Sequence, residues 1–264
     1  MELIPLFSGS SGNSTLIRAD GVNILIDVGK NCKTVKEALL SVGTDPSDID
    51  AVLITHSHVD HVLGLDVFIR KYPSKLFATE GTFRGMSRRF TKPHEQTPDI
   101  IVKPGVKFNL SDTVEIEAVS TPHDAYGSCC YKITDRNKSC MVATDLGYMT
   151  EEIREFARGV DVMLIEANYD QRMLVYGSYP EDLKVRIASD GGHMSNDDCA
   201  EAIKYFIDNG TRKFVLGHLS AENNTPDKAV LTVCDYLKSR NLERGVDYEL
   251  TVARRFEPTE AVLF

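Results

Sequence analysis

The sequence lacks a long apolar run, and its first residues lack the features of a targeting segment. No stretch approaches the roughly 20 apolar residues of a membrane-spanning helix. The start, Met-Glu-Leu-Ile-Pro-Leu-Phe-Ser, has neither a basic region nor enough apolar length for a signal peptide. Linkers, low-complexity runs and repeats are also missing. With 264 residues, 42% hydrophobic and 26% charged, we predict one globular domain over residues 1–264. We expect it in the cytoplasm, with no membrane partner and an oligomeric state that the sequence leaves open.

Excess positive charge and paired cysteines are lacking too. The 30 Lys and Arg against 39 Asp and Glu give a net charge of −9, which weakens the case for a nucleic-acid partner. Residues 84–94 are locally basic, however, with Arg84, Arg88 and Arg89 at the spacing of one helix face. None of the six cysteines forms a C-x-x-C pair, so we expect buried, reduced thiols rather than disulfides.

The order of apolar runs indicates the fold class. The first half consists mainly of short β-rich runs, among them the continuous apolar run 51–54, which is typical of a buried strand. The second half alternates strands with helices, one beginning at Ser195 and another at Thr225-Pro226. This order predicts an α/β protein in which two packed sheets carry helices on their outer faces.

A histidine-rich motif follows the apolar run 51–54. Residues 55–61 are Thr-His-Ser-His-Val-Asp-His, which places three of the seven histidines and one aspartate within six positions. Imidazole and carboxylate are ligands of Zn²⁺, Mn²⁺ and Fe²⁺. The alternative is a solvated histidine-rich loop, but apolar residues flank the motif on both sides. We therefore predict a metal site.

Three further residues follow short apolar runs as His56 does: His123, Asp145 and His218. Four groups in one motif are too many for one tetrahedral ion and too few for two. The repeated order of strand and then ligand makes these three the expected remaining ligands.

These motifs, with Leu-Ile-Asp-Val-Gly at 25–29, resemble the metallo-β-lactamase superfamily over nearly the whole chain. The resemblance implies a four-layer αββα sandwich with two divalent metal ions, zinc or manganese. It assigns the first ion to His56, His58 and His123. It assigns the second ion to Asp60, His61 and His218. Asp60 is also an expected catalytic residue. Asp145 bridges the two ions, and Asp27 orients a ligand.

Details within the superfamily favour phosphodiesters as substrates. Position 145 is Asp rather than the Cys of zinc β-lactamases, and little chain remains for a glyoxalase-type helical domain. Glu166-Ala-Asn-Tyr and Gly192-His193 resemble the acid pair of tRNA 3′-processing nucleases, which makes His193 the expected general acid and Glu166 its orienting partner. The Ser8–Ser14 turn and the stretch 219–226 look most like the YycJ/WalJ family of 5′→3′ DNA exonucleases. Residues 219–224 are Leu-Ser-Ala-Glu-Asn-Asn, where a basic residue is expected.

We therefore expect a binuclear metal-dependent phosphodiesterase whose partner is DNA, with RNA or a small phosphodiester as alternatives. A cyclic-nucleotide phosphodiesterase, a thioesterase of the same fold and a protein that binds DNA ends without cutting them remain open. The turn offers backbone N–H groups and hydroxyls for a phosphate. The candidate substrate-binding residues are Ser8, Ser10, Ser11, Asn13, Arg88 and Arg89.

Overall fold

The computed structural model of the chain describes residues 1–86 and 99–264. Its strands are β1 (Glu2–Phe7), β2 (Ser14–Ala19), β3 (Val22–Ile26), β4 (Ala51–Leu53), β5 (Lys75–Thr79), β6 (Asp99–Val102), β7 (Phe108–Asn109), β8 (Val114–Ser120), β9 (Cys129–Asp135), β10 (Lys138–Ala143), β11 (Val162–Glu166), β12 (Lys213–Gly217), β13 (Glu249–Val252) and β14 (Val262–Leu263). Its helices are α1 (Cys32–Ser41), α2 (Val59–Val62), α3 (Leu65–Lys71), α4 (Glu80–Met86), α5 (Glu151–Phe156), α6 (Gln171–Tyr176), α7 (Glu181–Ile187), α8 (Asn196–Asp208) and α9 (Pro226–Lys238), with a 3₁₀ turn at Pro46–Asp48.

Within the described residues the strands form two seven-stranded sheets that repeat the same plan. The first sheet has the order β14-β1-β2-β3-β4-β5-β6, and the second has the order β13-β12-β11-β10-β9-β8-β7. In each sheet, antiparallel pairing on one side gives way to parallel pairing, at β3–β4 in the first and at β10–β11 in the second. Parallel strands end at the same edge of a sheet, so each sheet presents a row of strand ends.

Three apolar layers separate four layers of secondary structure. One core lies between the sheets and includes Leu53 and Leu164. A second packs α1 and α3 against the first sheet, and a third packs α5, α8 and α9 against the second sheet. Successive residues of β4 alternate between two of these cores. Leu53 lies in the core between the sheets, and Val52 lies in the core under α1 and α3. The alternation explains the continuous apolar runs, because both faces of these strands are buried. The predicted αββα sandwich is confirmed.

Local sequence accounts for the principal helix starts. The Asn31 side chain accepts from the backbone N–H of Thr34 at the start of α1. Ser195 caps α8 in the same way, and Thr225 caps α9 with proline in its first turn. No described helix combines the length and apolar character that crossing a bilayer requires. All six cysteines are free thiols, and five are buried.

The sequence prediction missed the edges of both sheets. Strands β6, β7, β13 and β14 were not expected, and neither were the short helices α2 to α5. The edge strands contain few buried residues. The period-2 apolar pattern that identifies a half-buried strand is therefore weak in them.

Candidate metal centre

The predicted ligands lie where strands end, at one edge of the sandwich. His56 lies shortly after β4, His123 after β8, Asp145 after β10, and His218 directly after β12. Asp60 and His61 belong to the short helix α2 rather than to a loop, which corrects the loop expected for the whole motif. The ends of β3 and β11 add two more acids, Asp27 and Glu166.

Three of these strand ends turn sharply at the functional residue itself. Asp27, Asp145 and His218 have φ angles of 62°, 60° and 53°. Residues other than glycine seldom adopt this left-handed region, and doing so costs on the order of 1–3 kcal/mol. The side chains of all three residues contact other members of the cluster, so the strained backbone occurs at the site itself.

Four of the five predicted ligand histidines have one ring nitrogen directed to a fixed polar group. The Nδ1 of His61 is 2.7 Å from Asp27 Oδ2, and that of His218 is 2.9 Å from Glu166 Oε1. The Nδ1 of His123 donates to the carbonyl of Gly192 at 3.0 Å. Such contacts set the tautomer and leave the second nitrogen as a metal ligand.

The Thr55 hydroxyl completes this arrangement for His56. It donates to Asp27 Oδ2 at 2.8 Å and therefore accepts from His56 Nδ1 at 3.1 Å. Asp27 in turn receives the backbone N–H of Thr55. One buried carboxylate thus orients two histidines, His61 directly and His56 through Thr55.

The remaining ligand atoms converge in groups that could hold metal ions. In each group the atoms lie within 4.8 Å of one another. Two of the groups are those that the superfamily resemblance assigns to the two ions, and a third joins His56, His61 and Asp145. The groups are His56, His58 and His123; Asp60, His61 and His218; His56, His61 and Asp145; and Asp145, Glu166, His193 and His218.

Unsatisfied buried atoms at this place show that the residues fit a metal. His56 Nε2, His218 Nε2 and Asp145 Oδ2 are buried and have no hydrogen-bond partner among the described residues. Leaving a buried polar atom unpaired costs on the order of 1–3 kcal/mol. Two imidazole nitrogens and one carboxylate oxygen are all ligands of Zn²⁺ and Mn²⁺, so divalent cations in the groups that contain these residues would satisfy the three atoms.

The carboxylates make the site favourable for positive charge. Burial opposes protonation of His218, but Asp145, Asp60 and Glu166 outweigh it and raise the His218 pKa to about 10. Burial likewise lowers the pKa of His61, yet Asp145, Asp27 and Asp60 raise it well above its ordinary value. The site therefore attracts positive charge, whether protons or metal ions carry it.

Glu166 connects this cluster to His193. Its Oε1 accepts from the Nδ1 atoms of His193 and His218, and its Oε2 accepts the backbone N–H of Leu146 at 3.0 Å. Burial raises the pKa of Glu166, but the adjacent histidines outweigh it and lower the pKa. With both oxygens occupied, this ionised carboxylate serves to position the two imidazoles.

Comparison with known proteins identifies the family of this chain. A family model of the beta-lactamase superfamily domain matches residues 22–219. The exodeoxyribonuclease WalJ of Streptococcus pneumoniae serotype 2 is 37% identical over 246 residues, which cover 93% of this chain and 91% of that protein. The chain belongs to the WalJ/YycJ family of the beta-lactamase superfamily. The exodeoxyribonuclease YycJ of Bacillus anthracis is 31% identical over 246 residues, covering 93% of this chain and 92% of that protein.

Solved structures agree on the fold of this WalJ/YycJ-family chain. The metallo-β-lactamase fold protein YhfI from Bacillus subtilis superimposes with a TM-score of 0.73 at 15% identity, covering 98% of this chain and 100% of that one. This superposition supports the metallo-β-lactamase fold, and the sequence comparisons confirm the family resemblance read from the motifs.

The Ser8–Ser14 turn of this family member contacts two of the predicted metal ligands. The Ser8 hydroxyl accepts the backbone N–H of His218 at 2.8 Å. Asn13 Oδ1 accepts the N–H of Gly9, and its Nδ2 lies 3.4 Å from Asp60 Oδ2. Both side chains are buried and contact predicted metal ligands, and their contact with substrate stays a prediction. Ser10 and Ser11 are exposed and stay candidates for substrate contact.

The predicted basic helix face is only partly described. Arg88 and Arg89 lie outside the described residues, so their proposed phosphate contacts stay a prediction. Arg84 lies in α4 and pairs with Glu80 one helical turn earlier, at 2.5 Å.

Sequence reasoning missed Thr55 and the Gly192 carbonyl, which hold His56 and His123. Thr55 immediately precedes the histidine motif, and that position is the one signal that could have identified it.

The role of Asp27 can be tested through metal affinity. Asp27→Asn removes the charge that holds His61 and, through Thr55, His56. We expect metal affinity to fall about 10–100-fold, the usual cost of losing a partner that orients a ligand. Competition with a chelator during zinc titration measures this. The matched control is Asp20→Asn, because Asp20 is also an aspartate with positive φ but pairs with Arg136 on the surface. Equal affinities in wild type and Asp27→Asn would contradict the proposed role.

Proposed function

We propose that this chain is a metal-dependent exonuclease that removes nucleotides from the 5′ end of DNA. The observation that carries the proposal is the cluster of buried, unpartnered ligand atoms at His56, Asp145 and His218. Full-length similarity to relatives named exodeoxyribonucleases supports DNA as the substrate. We expect a cytoplasmic protein, as the sequence predicts.

Two divalent ions, zinc or manganese, would occupy the centre. His56, His58 and His123 would hold one ion, Asp60, His61 and His218 the other, and Asp145 would contact both. When bound, such ions lower the pKa of water and neutralise negative charge on phosphoryl oxygens. The side chains that remain partly exposed lie on the open side of the centre, where a phosphodiester can enter; they are His58, Asp60 and His193.

His193 is proposed to donate a proton to the leaving oxygen. When the imidazole is protonated, Nδ1 donates to Glu166 at 2.8 Å, and Nε2 remains free to donate to a second acceptor. Glu166 is fully buried and cannot itself reach substrate, so its role is to position His193. The backbone N–H of His193 donates to the carbonyl of Ile187 at 2.9 Å, which anchors the loop that carries it.

End-labelled DNA tests the proposal directly. Purified protein with Mn²⁺ or Zn²⁺ is incubated with linear single-stranded and duplex DNA that carries a label at either end, with and without a 5′ phosphate. We expect the 5′ label to be released first as a mononucleotide while the 3′-labelled strand shortens progressively. EDTA should stop both reactions.

Three results would contradict parts of this proposal. Release of the 3′ label first would reverse the polarity, and cutting of circular DNA would indicate an endonuclease. The protein could instead turn over bis-p-nitrophenyl phosphate, a cyclic nucleotide or a glutathione thioester and leave DNA intact. That result would make it a hydrolase of small molecules.

A further inference from the structure

A basic residue from a distant segment lies where residues 219–224 lack one. Arg255 follows β13, and its Nη2 donates to the carbonyl of Leu219 at 2.6 Å, next to His218. The guanidinium also lies against the backbone of Gly9, since a Cβ there would come within 2.9 Å of Nη1. Arg255 is thus packed between the Ser8–Ser14 turn and the residue that follows a metal ligand.

A second cation lies on the other part of the same turn. The stem of Lys30 packs on Gly12, where a Cβ would come within 2.7 Å of Cδ, and its Nζ donates to Ser11 Oγ at 3.0 Å. Burial and the charge of Arg255 lower the pKa of Lys30, while Asp60 raises it. The ammonium group is therefore within electrostatic range of both Arg255 and the metal centre.

Among the described residues neither cation forms an ion pair, although Glu222 raises the pKa of Arg255 and Asp60 raises that of Lys30 from a greater distance. Over residues 1–86 and 99–264, the ion pairs within 4.0 Å include no carboxylate partner for Lys30 or Arg255. The chain carries a net charge of −9, so acidic partners are plentiful elsewhere. Two like charges that lie close together and contact no carboxylate favour the binding of an anion beside them.

An exposed aromatic ring lies close to both cations. Phe256 is 71% exposed. Lys30 Nζ is 5.5 Å from its ring centroid, and Arg255 Cζ is 5.9 Å from it. An exposed ring flanked by cations is the arrangement with which proteins hold single-stranded nucleic acid, because the ring stacks a base and the cations contact its phosphates.

We propose that Lys30, Arg255 and Phe256 form a nucleotide subsite that holds a single-stranded part of the DNA substrate beside the metal centre. This inference rests on the proposed function. The subsite takes one unstacked base on Phe256 and the adjacent phosphates on the two cations. The other side of the same turn supports His218 and Asp60 through Ser8 and Asn13, so a strand held in the subsite leads directly to the metal ligands.

Binding to a nuclease-resistant probe tests the subsite without relying on catalysis. The probe is a phosphorothioate-linked single strand of about 12 nucleotides with a 3′ fluorophore, and anisotropy gives Kd for the metal-loaded protein over a range of salt. Phe256→Leu should weaken binding about tenfold, and Phe256→Tyr, which keeps the ring, should bind as the wild type does. The double change Lys30→Gln, Arg255→Gln should reduce the salt slope by about 1.4, or about 0.7 for each phosphate that the variant no longer neutralises.

Matched variants separate the subsite from general effects. Arg254→Gln is the charge control, because Arg254 adjoins Arg255 but pairs with Glu257 and Glu260 at 3.3 Å each. Arg255→Lys keeps the charge and should keep most of the slope. Melting curves and metal content establish that each variant is folded and loaded.

The outcomes distinguish this proposal from the proposed function. The subsite is refuted if Phe256→Leu and the double variant bind as the wild type does, if Arg254→Gln has an equal effect, or if blunt duplex DNA responds to the changes as strongly as the single strand. If the wild type cleaves ordinary DNA but any of these refuting results is found, the exonuclease assignment stands and the subsite fails. If the probe binds as expected but ordinary DNA is never cleaved, the subsite stands and the exonuclease assignment fails.

Discussion

Replacing Asp145 by asparagine should release both metal ions together and reduce DNA cleavage to the level of the metal-free protein. Asp145 is buried at the middle of the ligand cluster. Its Oδ2 lies 3.2 Å from His61 Nε2, and its Oδ1 lies 3.9 Å from His123 Nε2, so one carboxylate faces ligands of both predicted ions. Two cations a few ångströms apart repel strongly unless an anion lies between them, and a neutral amide removes that anion.

Metal analysis of the purified variant measures this effect. We expect about two ions per chain in the wild type, by the two-site assignment, and almost none in Asp145→Asn. The control is Asp161→Asn, since Asp161 contacts Lys138 and Ser139 at the opposite end of β10. Retention of two ions in Asp145→Asn would refute the bridging role, and retention of one would assign Asp145 to a single site.

Replacing His193 by alanine should slow DNA cleavage about 10²–10⁴-fold, the usual contribution of general acid catalysis. The leaving oxygen of a nucleotide has a high pKa and departs poorly without a proton. On bis-p-nitrophenyl phosphate the loss should be much smaller, because p-nitrophenolate is a stable anion that needs no proton. The variant should still contain both metals and bind the single-stranded probe, since the proposed role is confined to proton donation.

Comparing the two substrates makes this test independent of protein concentration and folding. An equal loss on DNA and on the nitrophenyl ester would argue against proton donation. Loss of metal from His193→Ala would instead make His193 a ligand in the group with Asp145, Glu166 and His218. Glu166→Gln should reduce DNA cleavage as well, because it releases His193 from its position. It should also weaken metal binding, because Glu166 holds His218.

The strand-end ligands were predictable because they depend on a local pattern. The apolar run 51–54 indicated a strand buried on both faces, and the polar residues directly after it had to lie at a sheet edge. The same reasoning applies to His123, Asp145 and His218, and the structure brings all of these residues into one cluster. The αββα layers were predictable for a related reason, since runs that are apolar at every position require a covering layer on each face.

The Ser8–Ser14 turn shows what a local sequence pattern leaves open. A turn rich in serine and glycine offers donors for a phosphate, and the sequence does not indicate which of its side chains are already used. In the folded chain Ser8 bonds to His218, a residue 210 positions away. Only Ser10 and Ser11 remain exposed.

The sequence by itself determined the class of fold, through the periodicity of its apolar residues, and the family, through the resemblance of its motifs, and it predicted a set of ligand residues. The tertiary structure alone decided which distant groups meet: Asp27 with His61, Glu166 with both His193 and His218, and Arg255 with Leu219 and Phe256 beside Lys30. These contacts follow from the order of strands in the two sheets and from the turns at their ends. Hydrophobic periodicity reports only which face of an element is buried, so it carries no information about which elements become neighbours.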